Sequence, residues 1–443
     1  MKQKPSAVRR TVAFWAVFLV LFFLMTQAFS TFPDYRSYQS IGGFYLEEEG
    51  SLDAIYLGSS NCYAFWSAPV AWHNYGLKVY PYASPSQPFY ALEYLIRETR
   101  KTQPDAMYII NINSVESDDL TPNGIHYLIN YMPESENRQA LTNHLADLLG
   151  YNMIEKLEFR FPWLRMRELW LDRIKNGPVP EPDGLMGAST YEHFLEDSED
   201  ITARYLRSDR KKAIPMMLTE SVIGLLDYCD EEGIRVLFVS VPRAEESEEA
   251  LGRINAVRDI IRSHGRDVLD MNPIFAELSL DLTQDYYNDK HTNIHGSVKF
   301  TNYLCEYLIG HCGLRNRQGG NSARWDEAWR RYAEIIAPWT LDIELDSRRR
   351  DSALPVPSGL TASAGGEASV RISWEAVPGA DGYRVYRKTG KTGAWELLGE
   401  TSETAFEDTG LRKDETRYTV AAQRAANGEI YYGNFWYQGV EAA

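Results

Sequence analysis

A serine hydroxyl becomes a nucleophile when a neutral imidazole lies close enough to take its proton, and this chain offers both partners at the ends of ordered segments. The apolar run Ala54-Ile-Tyr-Leu57 stops at Gly58-Ser59-Ser60, the pattern of a buried strand that delivers a serine to its tip. Far downstream, Asp285-Tyr-Tyr-Asn-Asp-Lys-His291-Thr-Asn-Ile-His-Gly296 places histidines just before a helix-forming stretch, Ser297 to Leu308. An imidazole with a pKa of about 6.5 is neutral enough near pH 7 to accept the serine proton and return it to a leaving group. The chemistry expected of such a pair is acyl transfer. Gly-Ser-Ser turns are common in loops without any catalytic role, and a histidine can serve only to hold its own loop, so the pairing has meaning only if the fold joins the two segments.

The intervening elements are of the kind that could join them. Besides the first strand, Ala106-Met-Tyr-Ile-Ile-Asn-Ile112 and Arg235-Val-Leu-Phe-Val-Ser-Val241 read as buried strands, and Pro88 to Thr102, Glu220 to Glu232 and Glu249 to His264 read as amphipathic helices. Apolar strands alternating with such helices predict an α/β domain, a three-layer fold with a parallel sheet covered on both faces, over residues 31–340. Residues 120 to 215 interrupt it with an insertion rich in aromatic and charged groups, including Phe161-Pro-Trp-Leu164 and Leu169-Trp-Leu171. Ligands of α/β sheets bind beyond the carboxyl ends of the strands, so the insertion is expected there as a lid or substrate wall, or else as a cap without ligand contact. A closing helix with Trp325, Trp329, Tyr332 and Ile335 at helical spacing starts after Ser322. Residues 341–356, charged and then proline-rich, read as a solvated linker. From residue 357 to 443 the pattern changes to short alternating strands, among them Ser369 to Trp374, Gly382 to Arg387, Trp395 to Leu398 and Arg417 to Ala422, which predicts an all-β sandwich.

At 443 residues, the chain is too long for one core. Its 46 basic against 62 acidic residues leave a net charge of −16, which argues against nucleic acid as a partner. Near the N-terminus Lys2, Lys4, Arg9 and Arg10 precede an uncharged stretch from Thr11 to Phe29. This stretch approaches the ~20 residues needed to span a bilayer. Basic residues before it and Asp34 and Glu47-Glu-Glu49 after it predict a cytoplasmic tip and transmembrane helix over residues 1–30, with the bulk of the chain outside. A cleaved signal peptide is the rival reading, but Thr26-Gln-Ala28 is a poor cleavage site. Four cysteines, Cys62, Cys229, Cys305 and Cys312, are few for a disulfide scaffold. None shows metal-ligand spacing, so no metal and no other cofactor is expected.

Taken together, Gly58-Ser59-Ser60 after a strand, Ser84-Pro-Ser-Gln87-Pro-Phe-Tyr90, and His291-x-Asn293-x-x-Gly296-x-x-Lys299-Phe300 resemble the SGNH/GDSL-type hydrolase superfamily. The likeness is strongest to its membrane-tethered branch of bacterial cell-surface proteins related to the DltD and alginate O-acetylation groups. It covers roughly residues 50 to 335. The resemblance implies Ser60, in a Gly-x-Ser setting, as the nucleophile and His291, rather than His295, as the base. The family's Asp-x-x-His would put an aspartate three residues before His291, where this chain has Asn288. Asp285 is therefore taken as the third member, with Asn288 itself, Asp289, or a bare Ser60–His291 dyad, as alternatives. Oxyanion and substrate contacts fall to Gln87, Asn288 and Asn113, with Asn111 the alternative at the same strand end; the family's usual glycine is missing from the second segment. The C-terminal pattern closely resembles a fibronectin type III domain, with Trp374 at the core tryptophan position and Leu411 with Tyr418 as the leucine and corner-tyrosine pair.

These resemblances imply an extracytoplasmic serine esterase or O-acyltransferase. Its substrate would be an acyl ester of a cell-envelope glycan, with a membrane-bound acyl donor protein as a further partner. A catalytically silent surface protein that binds glycan or a protein is the alternative, favoured by Asn288 and the missing glycine. A lipid-directed esterase is a third reading, suggested by the anchor and the aromatic insertion.

Overall fold

The structure is a computed structural model that describes residues 7–29, 37–116, 120–161, 164, 174–175, 182, 184–195, 208–244, 246–275, 277–318, 322–346, 349–351, 353–366, 369–390, 393–410 and 415–442. Leu411 and the segment Leu169 to Leu171 lie outside the described residues.

Helix α1 (Ala7–Phe29) contains the stretch Ala7–Thr26, which has a mean hydropathy of 1.9 and no residue buried. It is long and apolar enough to cross a membrane. The chain then turns through 38–42 as a π-helical segment whose Gln39, Ser40 and Ile41 are buried. This region belongs to the domain core: Ser40 Oγ accepts from Ala83 N at 3.0 Å.

Five parallel strands form the central sheet: β1 (Ala54–Gly58), β2 (Val79–Ala83), β3 (Met107–Asn111), β4 (Val236–Ser240) and β5 (Val268–Asp270), in the order β2-β1-β3-β4-β5. Every residue of β1, β2 and β3 is buried, as a parallel sheet covered on both faces requires. Strand β2 is not legible from the sequence, because Pro81 interrupts its aromatic run. The topology resolves this: β2 is an edge strand, where a residue without an N–H is tolerated.

Along the chain, α2 (Ser60–Phe65) and α3 (Ala68–Tyr75) follow β1, and α4 (Leu92–Thr99) follows β2. The insertion after β3 contributes α5 (Pro122–Ile129), α6 (Glu136–Leu148) and α7 (Met153–Arg160). Then come α8 (Met216–Glu231), α9 (Glu248–Ser263), the two-stranded hairpin β6 (Tyr286–Asn288) and β7 (His291–Thr292), α10 (Ile294–Cys312) and α11 (Ala323–Ile336). The order of the sheet reverses between β1 and β3, the switch point outside which ligands of open α/β sheets bind. Ser60 follows β1 directly there.

The C-terminal region is a β-sandwich. One sheet orders β11 (Glu396–Thr401), β10 (Gly382–Thr389), β13 (Thr416–Ala426) and β14 (Glu429–Tyr432), with β15 (Val440–Glu441) also on β13. The other orders β12 (Ala405–Asp408), β9 (Ser369–Ser373) and β8 (Thr361–Gly366). Trp374 is buried between them and meets Tyr383 edge-on at 5.2 Å. Tyr418 donates to Asp408 at 2.8 Å.

The stretch read as a solvated linker packs instead. Leu341, Ile343 and Leu354 are buried, the first two in a cluster shared with Tyr386, Phe435 and Tyr437 of the sandwich. Its charges are matched locally, Arg349 by Asp346 at 3.2 Å and Asp351 by Arg424. All four cysteines are free thiols.

Candidate active site

The turn after β1 sets the serine. Gly58 has φ +152°, and a Cβ built there would lie 2.6 Å from Cys62 Sγ and 2.9 Å from Asn111 Cβ. Only glycine lets the chain pass so close to β3 and swing into α2, whose first residue is Ser60. The serine remains partly exposed while its neighbours are buried.

The histidine comes from the β6–β7 hairpin. His291 Nε2 lies 2.7 Å from Ser60 Oγ. Two ties hold the hairpin against the helix that begins at Ser60, and a cap fixes the start of α10. Thr292 Oγ1 donates to Ala64 O at 2.6 Å. The Asn61 amide, oriented so that both its atoms find partners, donates to Lys290 O at 2.8 Å and accepts from Arg243 Nη2 at 2.6 Å. Asn293 caps α10, accepting from His295 N at 3.0 Å and Gly296 N at 3.2 Å. Gly296 is required by close approach, since a Cβ there would fall 2.2 Å from Asp285 O. Asn293 and Gly296 thus fold the loop that presents His291.

The third position belongs to Asn288. Its Oδ1 accepts from Lys290 N at 2.9 Å, from His291 N at 3.0 Å, and lies 3.0 Å from His291 Nδ1. Two backbone N–H groups can be met only by the amide oxygen, so the oxygen faces the ring. Nδ1 must then carry the proton, and Nε2 is left as the acceptor for the Ser60 hydroxyl. Asparagine in a serine protease triad fails when it imposes the wrong tautomer; here the backbone fixes the right one. What Asn288 does not supply is charge to stabilise the imidazolium.

Asp285, taken from the sequence as the third member, has another role. It is fully buried and accepts from Lys299 Nζ at 2.6 Å and from Asp281 N at 2.7 Å. Burial pushes its carboxyl up, against the opposing pull of Lys299, and pushes the Lys299 ammonium down. The pair braces the hairpin from behind. Asp289 acts electrostatically on Arg243 and Glu246. His295 is buried, 3.2 Å from Glu344 through Nδ1 and stacked on Tyr437 at 3.6 Å.

Of the other expected contacts, Asn113 is spent on structure: its amide donates to Val241 O at 3.2 Å and accepts from Val241 N at 2.9 Å. Asn111 accepts from Asn113 N at 2.8 Å. Gln87 is buried, with Oε1 accepting from Ser84 N at 3.1 Å and Ser84 Oγ at 3.3 Å. Its Nε2 has no hydrogen-bond partner among the described residues. Gln87, Ser59, Phe89, Ser114, Leu218 and Lys290 are among the residues lining a cavity of about 290 Å³.

Sequence reasoning missed the charged group beneath the site. Arg243, four per cent exposed, pairs with Glu116 and, at 3.2 Å, with Glu246. Lys290 reaches Glu116 at 3.4 Å. Burial lowers the Arg243 guanidinium and raises Glu246 despite their attraction. The available signal was position: Arg243 stands just past the carboxyl end of β4. The insertion also contributes a strap over the loop. Ile294 N donates to Tyr191 O and Leu195 N to Tyr286 O, each at 2.8 Å. The Tyr191 ring stacks on Tyr287 at 4.2 Å and lies 6.4 Å from the His291 ring.

No family model matches the chain. Over 76 residues, 17% of this chain and 15% of the other, it is 37% identical to a poly(3-hydroxybutyrate) depolymerase from Delftia acidovorans. The chain thus spans about 15% of the length of that relative. Ser60 and His291 are 231 residues apart, so a match of 76 residues holds at most one of them. Solved structures it is similar to include fibronectin type III domains. A Fn3-like protein from Clostridium thermocellum is 27% identical, covering 19% of this chain and 88% of that one, at a TM-score of 0.16. A FN3 domain of human collagen XX is 22% identical with 19% and 88% coverage, at a TM-score of 0.15.

Proposed function

We propose that the chain is an extracytoplasmic serine esterase or O-acyltransferase of SGNH type, held to a bacterial membrane by α1, with a fibronectin type III-like domain docked behind its catalytic loop. The observation that carries this reading is the 2.7 Å approach of His291 Nε2 to Ser60 Oγ, at the switch point of a parallel sheet ordered β2-β1-β3-β4-β5. Ser60 Oγ bonds to the ester carbonyl carbon and its proton passes to His291 Nε2. The ester C–O bond breaks and the alcohol leaves with that proton. Water or a second hydroxyl then repeats the cycle and releases the acyl group. The Ser60 N–H is the donor proposed for the developing oxyanion. Cell-envelope glycan acyl esters are the substrates proposed. A membrane-bound protein is proposed as the acyl donor for transfer. The similarity to a depolymerase is consistent with ester hydrolysis, but the weight rests on the geometry.

A second reading, a silent glycan- or protein-binding shell, is favoured by Asn288, which brings no charge to the imidazolium. One experiment separates them: turnover of p-nitrophenyl acetate by the full chain and by Ser60→Ala. The esterase reading expects the variant to fold with an unchanged thermal midpoint and to lose turnover. Equal turnover by both proteins removes Ser60 from the chemistry.

A further inference from the structure

Helix α7 carries apolar residues on two faces, of which only one is covered. At ~100° of rotation per residue, Met153, Ile154 and Leu157 fall on one side, which Phe161, just past the helix end, continues. Phe159 falls on the other side. It is buried in the α/β core, its ring 4.6 Å from His126 and 5.5 Å from Tyr151. On the open side Met153 is 82% exposed, Ile154 76% and Leu157 41%. Leu164, seven residues after Leu157, is exposed as well. Large apolar groups gathered on one exposed face mark a surface that meets an apolar partner.

That partner is indicated by α1. The Phe161 ring meets the Phe22 ring edge-on at 5.0 Å, and Phe22 lies four residues before Thr26, where the apolar span Ala7–Thr26 ends. Four helical residues rise ~6 Å, so the contact sets Phe161 about one turn inside the end of the span. This depth matches the ~5–10 Å to which the apolar face of an interfacial helix sinks beneath the headgroups. Neighbouring charges are engaged elsewhere: Lys156 pairs with Asp147 on α6, and Glu155 Oε2 accepts from Asn152 N at 2.8 Å.

We propose that α7 lies on the outer leaflet of the membrane that α1 crosses, with Met153, Ile154 and Leu157 sunk among the lipid headgroups and upper acyl chains. The α/β domain is then held at the bilayer by two contacts instead of swinging on one tether. The inference rests on the membrane anchoring in the proposed function and is independent of the esterase chemistry.

The test uses the full chain in vesicles of equal parts phosphatidylethanolamine and phosphatidylglycerol. In a Cys312→Ser background, which removes the thiol that is not buried, single nitroxide labels are placed through Val17→Cys, Ile154→Cys, Leu157→Cys and, on the exposed part of β14, Ile430→Cys. Collisions with membrane-soluble oxygen and with a water-soluble nickel chelate are read by electron paramagnetic resonance. The oxygen-to-nickel ratio at positions 154 and 157 is expected to exceed that at 430 several-fold and to fall below that at 17. Two positions on α7 are read so that a label that disturbs one leaves the other to decide. Nickel access at 154 and 157 equal to that at 430, with 17 protected, overturns the lipid contact and leaves the anchor standing. Labels at 154 and 157 shut off from both reagents also overturn it, and dipolar broadening between them would then assign the face to a second copy of the chain. A label at 17 open to nickel removes the anchoring and this inference with it.

Discussion

The two folded regions differ in the distance along the chain between the residues that define them. In the sandwich, Tyr418 meets Asp408 ten residues away, and β8 with β9 and β13 with β14 pair as consecutive strands. In the α/β domain, Ser60 meets His291 across 231 residues. Local alternation leaves a mark that the sequence pattern detects. A site assembled from distant loops leaves only short fragments. The electrostatics differ in the same way: the α/β domain buries carboxyls, and burial raises Glu47, Asp53 and Asp285. In the sandwich, burial pulls Asp408 upward too, but hydrogen bonds from Gly410, Tyr418 and Arg387 outweigh it and hold the carboxyl low.

The largest effect expected separates two histidines four positions apart, one on the catalytic side and one at the sandwich contact. His291→Ala should lower ester turnover by about 10⁴-fold with little change in thermal midpoint. His295→Ala, which removes the stack on Tyr437, should keep most of the turnover and lower the midpoint. The reverse outcome would break the division between site and brace. Next, Lys299→Met strands the buried Asp285 carboxylate and should cost about 3–5 kcal/mol in chemical denaturation. A loss below 1 kcal/mol would mean the pair is not a brace.

Asn288→Asp sharpens the comparison with charged triads. With the ring held by the same acceptor geometry, a carboxylate should stabilise the imidazolium, raising kcat by about tenfold and moving the acid limb of the pH–rate profile to higher pH. The smallest effect is Asp408→Asn. The wild-type carboxyl is lowered in the folded state, so its contribution is present above the ordinary carboxylate pKa and is lost as pH falls through the depressed value. The stability gap between the two proteins should therefore be open at pH 7 and closed at low pH.

The sequence showed the parallel-sheet α/β region, the β-sandwich and the apolar N-terminal helix because each carries a strong period. Strand β2 escaped it because Pro81 masks an edge strand, and the packed junction around Leu341 and Leu354 escaped because its ion pairs looked like solvated charge. Ser60 and His291 could be named from their short blocks. The choice of Asp285 over Asn288 followed the expectation of a carboxylate, whereas the carboxylate was needed for Lys299, which lies fourteen residues on. Arg243 offered only its position just past the end of β4, and Tyr191 offered no signal, since its importance comes from tertiary contacts alone.

The most direct test is the rate of fluorophosphonate labelling at Ser60 as a function of pH, in wild type and His291→Ala. The account predicts a Ser60 adduct whose rate falls as the imidazole is protonated, and loss of labelling in the variant. A folded wild type that is not labelled, or a variant labelled just as fast, would contradict it.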